Sequence, residues 1–403
     1  MKIVFLIENL RLFSTEQIEL SSIAKKMNYE VRYFETLRTK LKIENLTNII
    51  KENEKYIIFS SIYTLKALLL IDNFNELYND EELKKLQIFK KNIYYNINLF
   101  NNINSELSFN HFENINISLL KKFKEEKFIK SITGLKEFNS GIINENENLF
   151  SYMKRTKGNT NLIKNFYKDK TKNINILVAN INNSTSKCNE YRFFIMNNEI
   201  ISKSQYIENG DFECKEDIPN KVIEFAINFM KIYQPDFYYV LDLIEINNEI
   251  KFLEFNCINS SGLYDINKED FVKKLLLDKL LFEDRLSNKS YNLEEIKNHI
   301  KNNDLLFICK YLEHNNYNKK MVLNVLKSLT YFNYDSVYPY GQILTLKLFE
   351  INDIEVKDFV LQLYDCWNNE KGLIYLNKLE VKEQWLNEYK SKVIESIENH
   401  III

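Results

Sequence analysis

The residues best placed to do chemistry lie between Tyr238 and Asn256. Two strand-like runs, 238–246 and 250–256, carry Asp242 on the first and Glu254 and Asn256 on the second. A three-residue loop of Asn247, Asn248 and Glu249 sets Ile246 opposite Ile250, Glu245 opposite Lys251, Leu243 opposite Leu253 and Asp242 opposite Glu254. This register places an apolar pair at the turn and an opposite-charge pair beside it. A two-residue loop would send the two acids to opposite faces. In the preferred register Asp242, Ile244, Ile246, Ile250, Phe252, Glu254 and Asn256 share one face.

Two close, partly desolvated carboxylates repel, and each raises the other's pKa unless a cation joins them. Asp, Glu and Asn offer oxygen ligands, which suit Mg²⁺, an ion that normally completes its shell with water and substrate phosphate. Two ordinary acids at the solvated end of a hairpin are the competing reading. A small polar loop follows at once, with Asn259, Ser260, Ser261 and Gly262 leading to Tyr264. Gly262 is one of only 7 glycines in the chain.

An acid on one strand, Glu-x-Asn on the next and a Ser-Ser-Gly loop after it together resemble the metal-binding end of the ATP-grasp superfamily. The resemblance implies that Asp242, Glu254 and Asn256 hold Mg²⁺ ions bridging the phosphates of ATP. It implies a role for Ser260, Ser261 and Gly262 in orienting an acceptor carboxylate. Upstream, the segment 128–141 is similar to the family's first nucleotide segment, with Lys130 closing a strand and Lys136 and Gly141 in a covering loop. Lysine ammonium groups there would add point charge at the phosphates. That loop is poorer in glycine than in many members, and a solvated strand-end lysine is the plainer account of Lys130.

Glu190 to Met196, followed by Ile200 to Tyr206, resembles the strand pair whose arginine points at the transferred phosphoryl group. Arg192 is a rare arginine in a lysine-dominated chain, and its planar fork suits bidentate contact with phosphate. A surface ion pair with Glu190 competes with that role. By position, Val178 and Asn180 fall in the interdomain segment whose backbone reads adenine, and Lys203 follows on the arginine's partner strand. Arg192 and Lys136 are the catalytic candidates. Lys130, Lys136, Gly141, Val178, Asn180, Arg192 and Lys203 are the nucleotide contacts.

The elements that must position these groups fall into three expected domains. Residues 1–120 alternate strand and helix, with strands at 2–7, 31–34 and 56–60 and a helix over 15–27, as in a small open α/β sheet. No GxGxxG follows the first strand, which argues against a dinucleotide-binding Rossmann domain. The Asn-rich stretch 72–120 gives no pattern to assign. Residues 121–284 change to longer strands and hairpins, one across Asn197-Asn198, with an amphipathic helix carrying Val222, Phe225, Ala226, Phe229 and Met230. Residues 285–403 show only helical periodicity, near 293–301, 304–314, 319–332, 336–350, 354–366 and 381–397. These lengths resemble HEAT-like repeats, an interaction surface outside the nucleotide fold. The ATP-grasp resemblance covers roughly residues 1–283 and is nearest to bacterial and phage-type members of unassigned substrate.

Composition narrows the classes. Lys+Arg at 54 against Asp+Glu at 56 leave a formal charge of -2 and no basic field for duplex nucleic acid. Roughly one residue in seven is Asn, so a single Asn carries little information. The cysteines (188, 214, 257, 309, 366) form no CxxC, and the four histidines lie apart, which speaks against a zinc site, a disulfide framework or a hydrolytic triad. Cys257 reads as a small core thiol. There is no Walker GxxxxGK[ST] and no apolar run long enough to cross a bilayer. The expectation is a cytoplasmic, ATP- and Mg²⁺-dependent ligase of ATP-grasp type that joins a carboxylate to an amine through an acyl phosphate. A peptide or protein bound through the helical tail is the suggested substrate. A non-catalytic nucleotide-binding or protein-interaction module and an ATP-dependent phosphotransferase are the alternatives.

Overall fold

The computed structural model describes residues 2–9, 14–34, 46, 48–51, 53–61, 64, 65, 68, 109, 112–131, 138, 140–156, 173–180, 188–283, 291–315 and 317–401. Lys136 lies outside the described residues. The chain divides into two compact units. The first comprises residues 1–195, 200–226 and 238–272; the second comprises 196–199, 227–237 and 273–403.

The first unit begins with a parallel three-stranded sheet in the order β2–β1–β3: β1 (Lys2–Glu8), β2 (Glu30–Phe34) and β3 (Glu54–Phe59). Helix α1 (Ser14–Lys26) is the crossover from β1 to β2. As the central strand, β1 is buried from Ile3 through Glu8, the continuous pattern expected of a strand covered on both faces. Val4, Leu6, Phe34, Tyr56 and Ile58 form its core, and Cys257 packs into the same cluster.

A second sheet has the order β4–β7–β5–β6: β4 (Glu113–Ser118), β5 (Lys127–Ser131), β6 (Gly141–Ile143) and β7 (Asn173–Ala179). Helix α2 (Leu149–Arg155) closes its core with Ile117, Ile129, Phe138, Ile143, Tyr152 and Ile176. Gly141 is required by packing: a Cβ there would stand 2.8 Å from the Tyr152 hydroxyl. The stretch left unassigned from sequence ends in β4, whose alternating Ile115 and Ile117 were the available signal.

The third sheet runs β10–β9–β8–β11–β12: β8 (Cys188–Met196), β9 (Glu199–Glu208), β10 (Asp211–Lys215), β11 (Tyr238–Ile246) and β12 (Glu249–Asn256). Both predicted hairpins are present, but the second corrects the expected register. Its loop has two residues, Asn247 and Asn248, at φ 52° and 65°, so Ile246 faces Glu249, Glu245 faces Ile250 and Leu243 faces Phe252. A β-bulge then takes up Leu253 and restores Asp242 opposite Glu254. The turn-proximal pairs inferred from sequence are therefore wrong: Ile250 and Phe252 lie on the face opposite Asp242. The backbone prefers a tight turn with both central residues left-handed, which Asn tolerates, and the extra residue is absorbed further along the strand. Helix α3 (Asn220–Ile232) follows β10, and α4 (Lys268–Glu283) follows the loop after β12.

Asparagine serves throughout where other chains place glycine or serine. Asn28, Asn53, Asn146, Asn197, Asn198, Asn209, Asn247, Asn248, Asn303 and Asn368 all have positive φ. Asn148, Asn292, Asn318, Asn333 and Asn369 cap helix N-termini through their side chains.

The second unit is helical: α5 (Leu293–Lys301), α6 (Leu305–His314), α7 (Lys319–Leu329), α8 (Tyr334–Val337), α9 (Tyr340–Phe349), α10 (Ile354–Trp367), α11 (Glu370–Leu376) and α12 (Gln384–Ile401). Sequence periodicity anticipated most of these; the short α8 was not separated from the segment near 336–350, and α11 falls in the gap between the segments near 354–366 and 381–397. Residues 227–237 are built into this unit. The Tyr338 hydroxyl donates to the Met230 carbonyl at 2.6 Å, the Gln234 amide donates to the Tyr375 hydroxyl at 3.0 Å, and Tyr233 stacks on Tyr375. The Lys347 ammonium lies 2.9 Å from Asp236 and 3.3 Å from Glu313. No described helix is long and apolar enough to cross a membrane.

Candidate active site

Strand alternation brings the acidic pair to one face of the third sheet, while the opposite face carries Glu245, bonded to Tyr191 and paired with Lys221 of α3. Asp242 is fully buried on β11, and Glu254 lies across from it on β12. Arg192 of β8 grips Asp242 with two hydrogen bonds, Nε to Oδ1 at 2.8 Å and Nη2 to Oδ2 at 2.7 Å. From the second sheet Lys130 reaches over and pairs with Glu254 through Oε2. Asn256 donates one amide nitrogen to Asp242 Oδ2 and to Glu254 Oε1, each at 2.9 Å.

The electrostatics follow from burial and these partners. Burial pushes the Asp242 carboxyl above the usual carboxylate range, against the pull of Arg192. Burial also raises Glu254, but the charge and hydrogen bond of Lys130, with Asn256, overcome it and hold this group down at about 2. Glu190, expected as the rival partner of Arg192, instead accepts a hydrogen bond from Tyr206. Burial raises its carboxyl despite that bond, and the charges of Asp242 and Glu254 add to the rise. The Arg192 guanidinium is buried and also donates to the Gly262 carbonyl at 3.2 Å. Its central carbon lies 5.2 Å from the Tyr206 ring and 4.9 Å from the Tyr264 ring, and the two rings stack on each other.

The loop after β12 is held by helix α1 and by the end of β3. Leu263 and Tyr264 amides both donate to the Glu16 carboxylate at 3.1 Å, and Asn259 exchanges hydrogen bonds with Ser60 and Ile58. Ser260 and Ser261 turn their hydroxyls back to Cys257, one to its sulfur and one to its carbonyl.

Of the residues named from sequence, Lys130, Arg192, Asp242, Glu254, Asn256 and Gly262 meet at this face. Lys203 on β9 is half-buried, and its side chain has no hydrogen bond or ion pair among the described residues. Val178 is buried in β7 between β4 and β5, and the Asn180 side chain accepts from Lys127 at 2.6 Å. Gly141 opens β6. Tyr206, Tyr264 and Glu16 were not singled out, and Glu190 was named only as a rival partner of Arg192. The two tyrosines flank the named motifs, whereas Glu16 lies more than 200 residues from its partners, with no local signal.

A Mg²⁺ ion fits this donor set. One nitrogen atom stands 2.9 Å from an oxygen of each carboxylate, so both acids face a common point. Asn256 offers a third oxygen once its amide turns. Among the described residues no three His, Cys, Asp or Glu side chains converge as a metal cage. Mg²⁺ takes one or two carboxylates and fills its shell with phosphate and water.

Residues 107–274 match the family described as ATP-grasp domain, R2K clade family 2. No curated protein matches the chain in sequence. Among solved structures it is similar to the D-alanine–D-alanine ligase from Bacillus anthracis complexed with ATP, at 11% identity and TM-score 0.34 over 64% of this chain and 86% of that one. It is also similar to macrocyclase MdnC bound with precursor peptide MdnA from Microcystis aeruginosa MRC, at 13% identity and TM-score 0.33 over 68% and 99%. A further likeness is to the D-cycloserine synthetase DcsG, at 8% identity and TM-score 0.37 over 68% and 98%. The fold is the ATP-grasp fold with a helical C-terminal region, and residues 107–274 are an ATP-grasp domain of the R2K clade.

Proposed function

We propose that the protein is an ATP-dependent ligase that joins a carboxylate to an amine. The observation that supports this best is the convergence of two carboxylates, an amide, a lysine and a buried arginine on one sheet face. A binding module has no need of that set. Asp242, Glu254 and Asn256 would hold Mg²⁺, which when bound offsets charge on the β- and γ-phosphate oxygens. Lys130 would bind the nucleotide phosphates as a point charge. Arg192 would present its fork to the phosphoryl group in transit and then to the acyl phosphate, held in orientation by Tyr206 and Tyr264. Lys136 and Lys203 would add charge to the same nucleotide.

In the proposed reaction a substrate carboxylate oxygen attacks the γ-phosphorus and ADP departs. An amine nitrogen then attacks the acyl carbon, phosphate leaves and the nitrogen loses its proton. The loop of Ser260, Ser261 and Gly262 would orient the acceptor, with Glu16 fixing where that loop stands. A peptide or protein as substrate fits a chain that gives 273–403 to a helical unit exposing Tyr331 and Trp385.

The test is Mg²⁺-dependent ATP binding by calorimetry, followed by product analysis on carboxylate and amine candidates. Equimolar ADP, phosphate and amide are expected. A stable phosphorylated product would make the protein a phosphotransferase, and no ATP binding at all would overturn the reading.

A further inference from the structure

The acidic pair is fully engaged within the chain. Asp242 Oδ1 accepts from Arg192 Nε, and Asp242 Oδ2 accepts from Arg192 Nη2 and Asn256. Glu254 Oε1 accepts from Asn256, and Oε2 from Lys130. Each of the carboxylate oxygens thus has a donor, and the two cations are the very groups that would meet phosphate.

We infer that Lys130 and Arg192 are internal counter-ions of the acidic pair, and that divalent cation and nucleotide enter together by exchanging partners with them. The inference rests on the proposed nucleotide site and adds how that site is regulated. A divalent ion arriving alone must strip Asp242 from Arg192 and strand a buried guanidinium. Phosphates arriving alone must strand the buried Asp242 carboxylate and the half-buried one of Glu254. A buried charge deprived of its partner is strongly destabilising. When both ligands arrive, the metal takes the carboxylates, the phosphates take the ammonium and the guanidinium, and no charge is left unpaired. Asn256 must turn its amide so that the oxygen, not the nitrogen, faces the carboxylates. Linkage makes the coupling reciprocal: each ligand tightens the other by the same factor.

The experiment uses the full chain and Mn²⁺ as the probe, followed by calorimetry and by the loss of its free-ion paramagnetic resonance signal, with and without ADP. For the wild type, Mn²⁺ is expected to bind between about 5- and 150-fold more tightly in the presence of ADP. The decisive arm needs no nucleotide: Arg192→Gln frees Asp242, so Mn²⁺ alone should bind at least about tenfold more tightly than to wild type, the size of a modest coupling. Lys130→Gln, a substitution at the less buried cation, repeats the test should Arg192→Gln fail to fold, as judged by its melting curve. Mn²⁺ binding that is equally tight with and without ADP overturns the inference. So does a folded variant that gains no Mn²⁺ affinity. If wild type binds no ADP, the nucleotide reading falls, while the metal gain in the variants still decides whether these cations guard the acids.

Discussion

Arg192 and Asp242 form a two-pronged ion pair between neighbouring strands, with the aspartate fully buried and the guanidinium nearly so. Its stability consequence is separable from its function. Asp242→Leu should cost roughly 3–5 kcal/mol, because it leaves the guanidinium buried without its charge partner. The double variant Arg192→Met/Asp242→Leu should recover most of that loss, since a well-packed apolar pair often matches a buried ion pair. Urea denaturation of the three proteins checks this. A double variant no more stable than Asp242→Leu would mean the pair itself is a main support of the fold.

Glu254→Gln keeps the side-chain volume and removes the charge. Because Lys130 and Asn256 hold this carboxyl ionised down to about pH 2, the wild type presents it charged throughout the neutral range. Mg²⁺-dependent ATP binding should fall at least about tenfold, roughly 1.4 kcal/mol. Calorimetry at pH 6 and pH 8 should give the same ratio, and a ratio that changes with pH would place the relevant titration on another group.

Lys347 sits between Asp236 and Glu313 inside the helical unit. Lys347→Ala removes the ammonium that lies closest to both acids and leaves only the more distant charge of Lys310 to offset them, and a loss of about 3–5 kcal/mol is expected. For the same reason a chain ending near residue 284 should not melt cooperatively, since 227–237 would lose the partners that bury it. A sharp, wild-type-like transition for that truncated chain would refute this.

Lys378 stands with its ammonium nitrogen buried, without a hydrogen bond, 3.7 Å from the centre of the Tyr233 ring. Burial drives its pKa down from 10.5 to about 7. Between those values the unfolded chain binds the extra proton, so stability rises with pH from about 7 to 10.5 and is lost as pH falls through 7. Lys378→Met should be more stable than wild type below pH 7, by several kcal/mol, up to roughly 5 for a shift of that size. The gap should close as pH approaches 10, which thermal melts across that range would show.

Much of the site was legible in the sequence because it is built from strand pairs, whose alternation and loop length are local. Asp242 opposite Glu254 was inferred correctly, although by a turn that the chain does not use. The Asn247-Asn248 turn and the bulge at Leu253 offset one another. Pattern alone cannot tell a longer loop from a tight turn plus a bulge, because both insert one residue. The partner of Arg192 was less legible. Glu190 is near it in sequence and Asp242 is 50 residues away, yet sheet order puts β11 beside β8. Glu16 was invisible, since its role depends on helix α1 meeting the loop after β12.

The interleaving of the two compact units bears on synthesis. Residues 227–237 leave the ribosome well before Tyr338, Lys347 and Tyr375, the groups that complete their surroundings. Until then Tyr233, Asp236 and Phe237 are exposed as a nascent, sticky segment just upstream of β11. The strand that bears Asp242 is therefore flanked by unfinished structure until translation is nearly over. Any exchange of the helical region would have to supply new partners for residues 227–237.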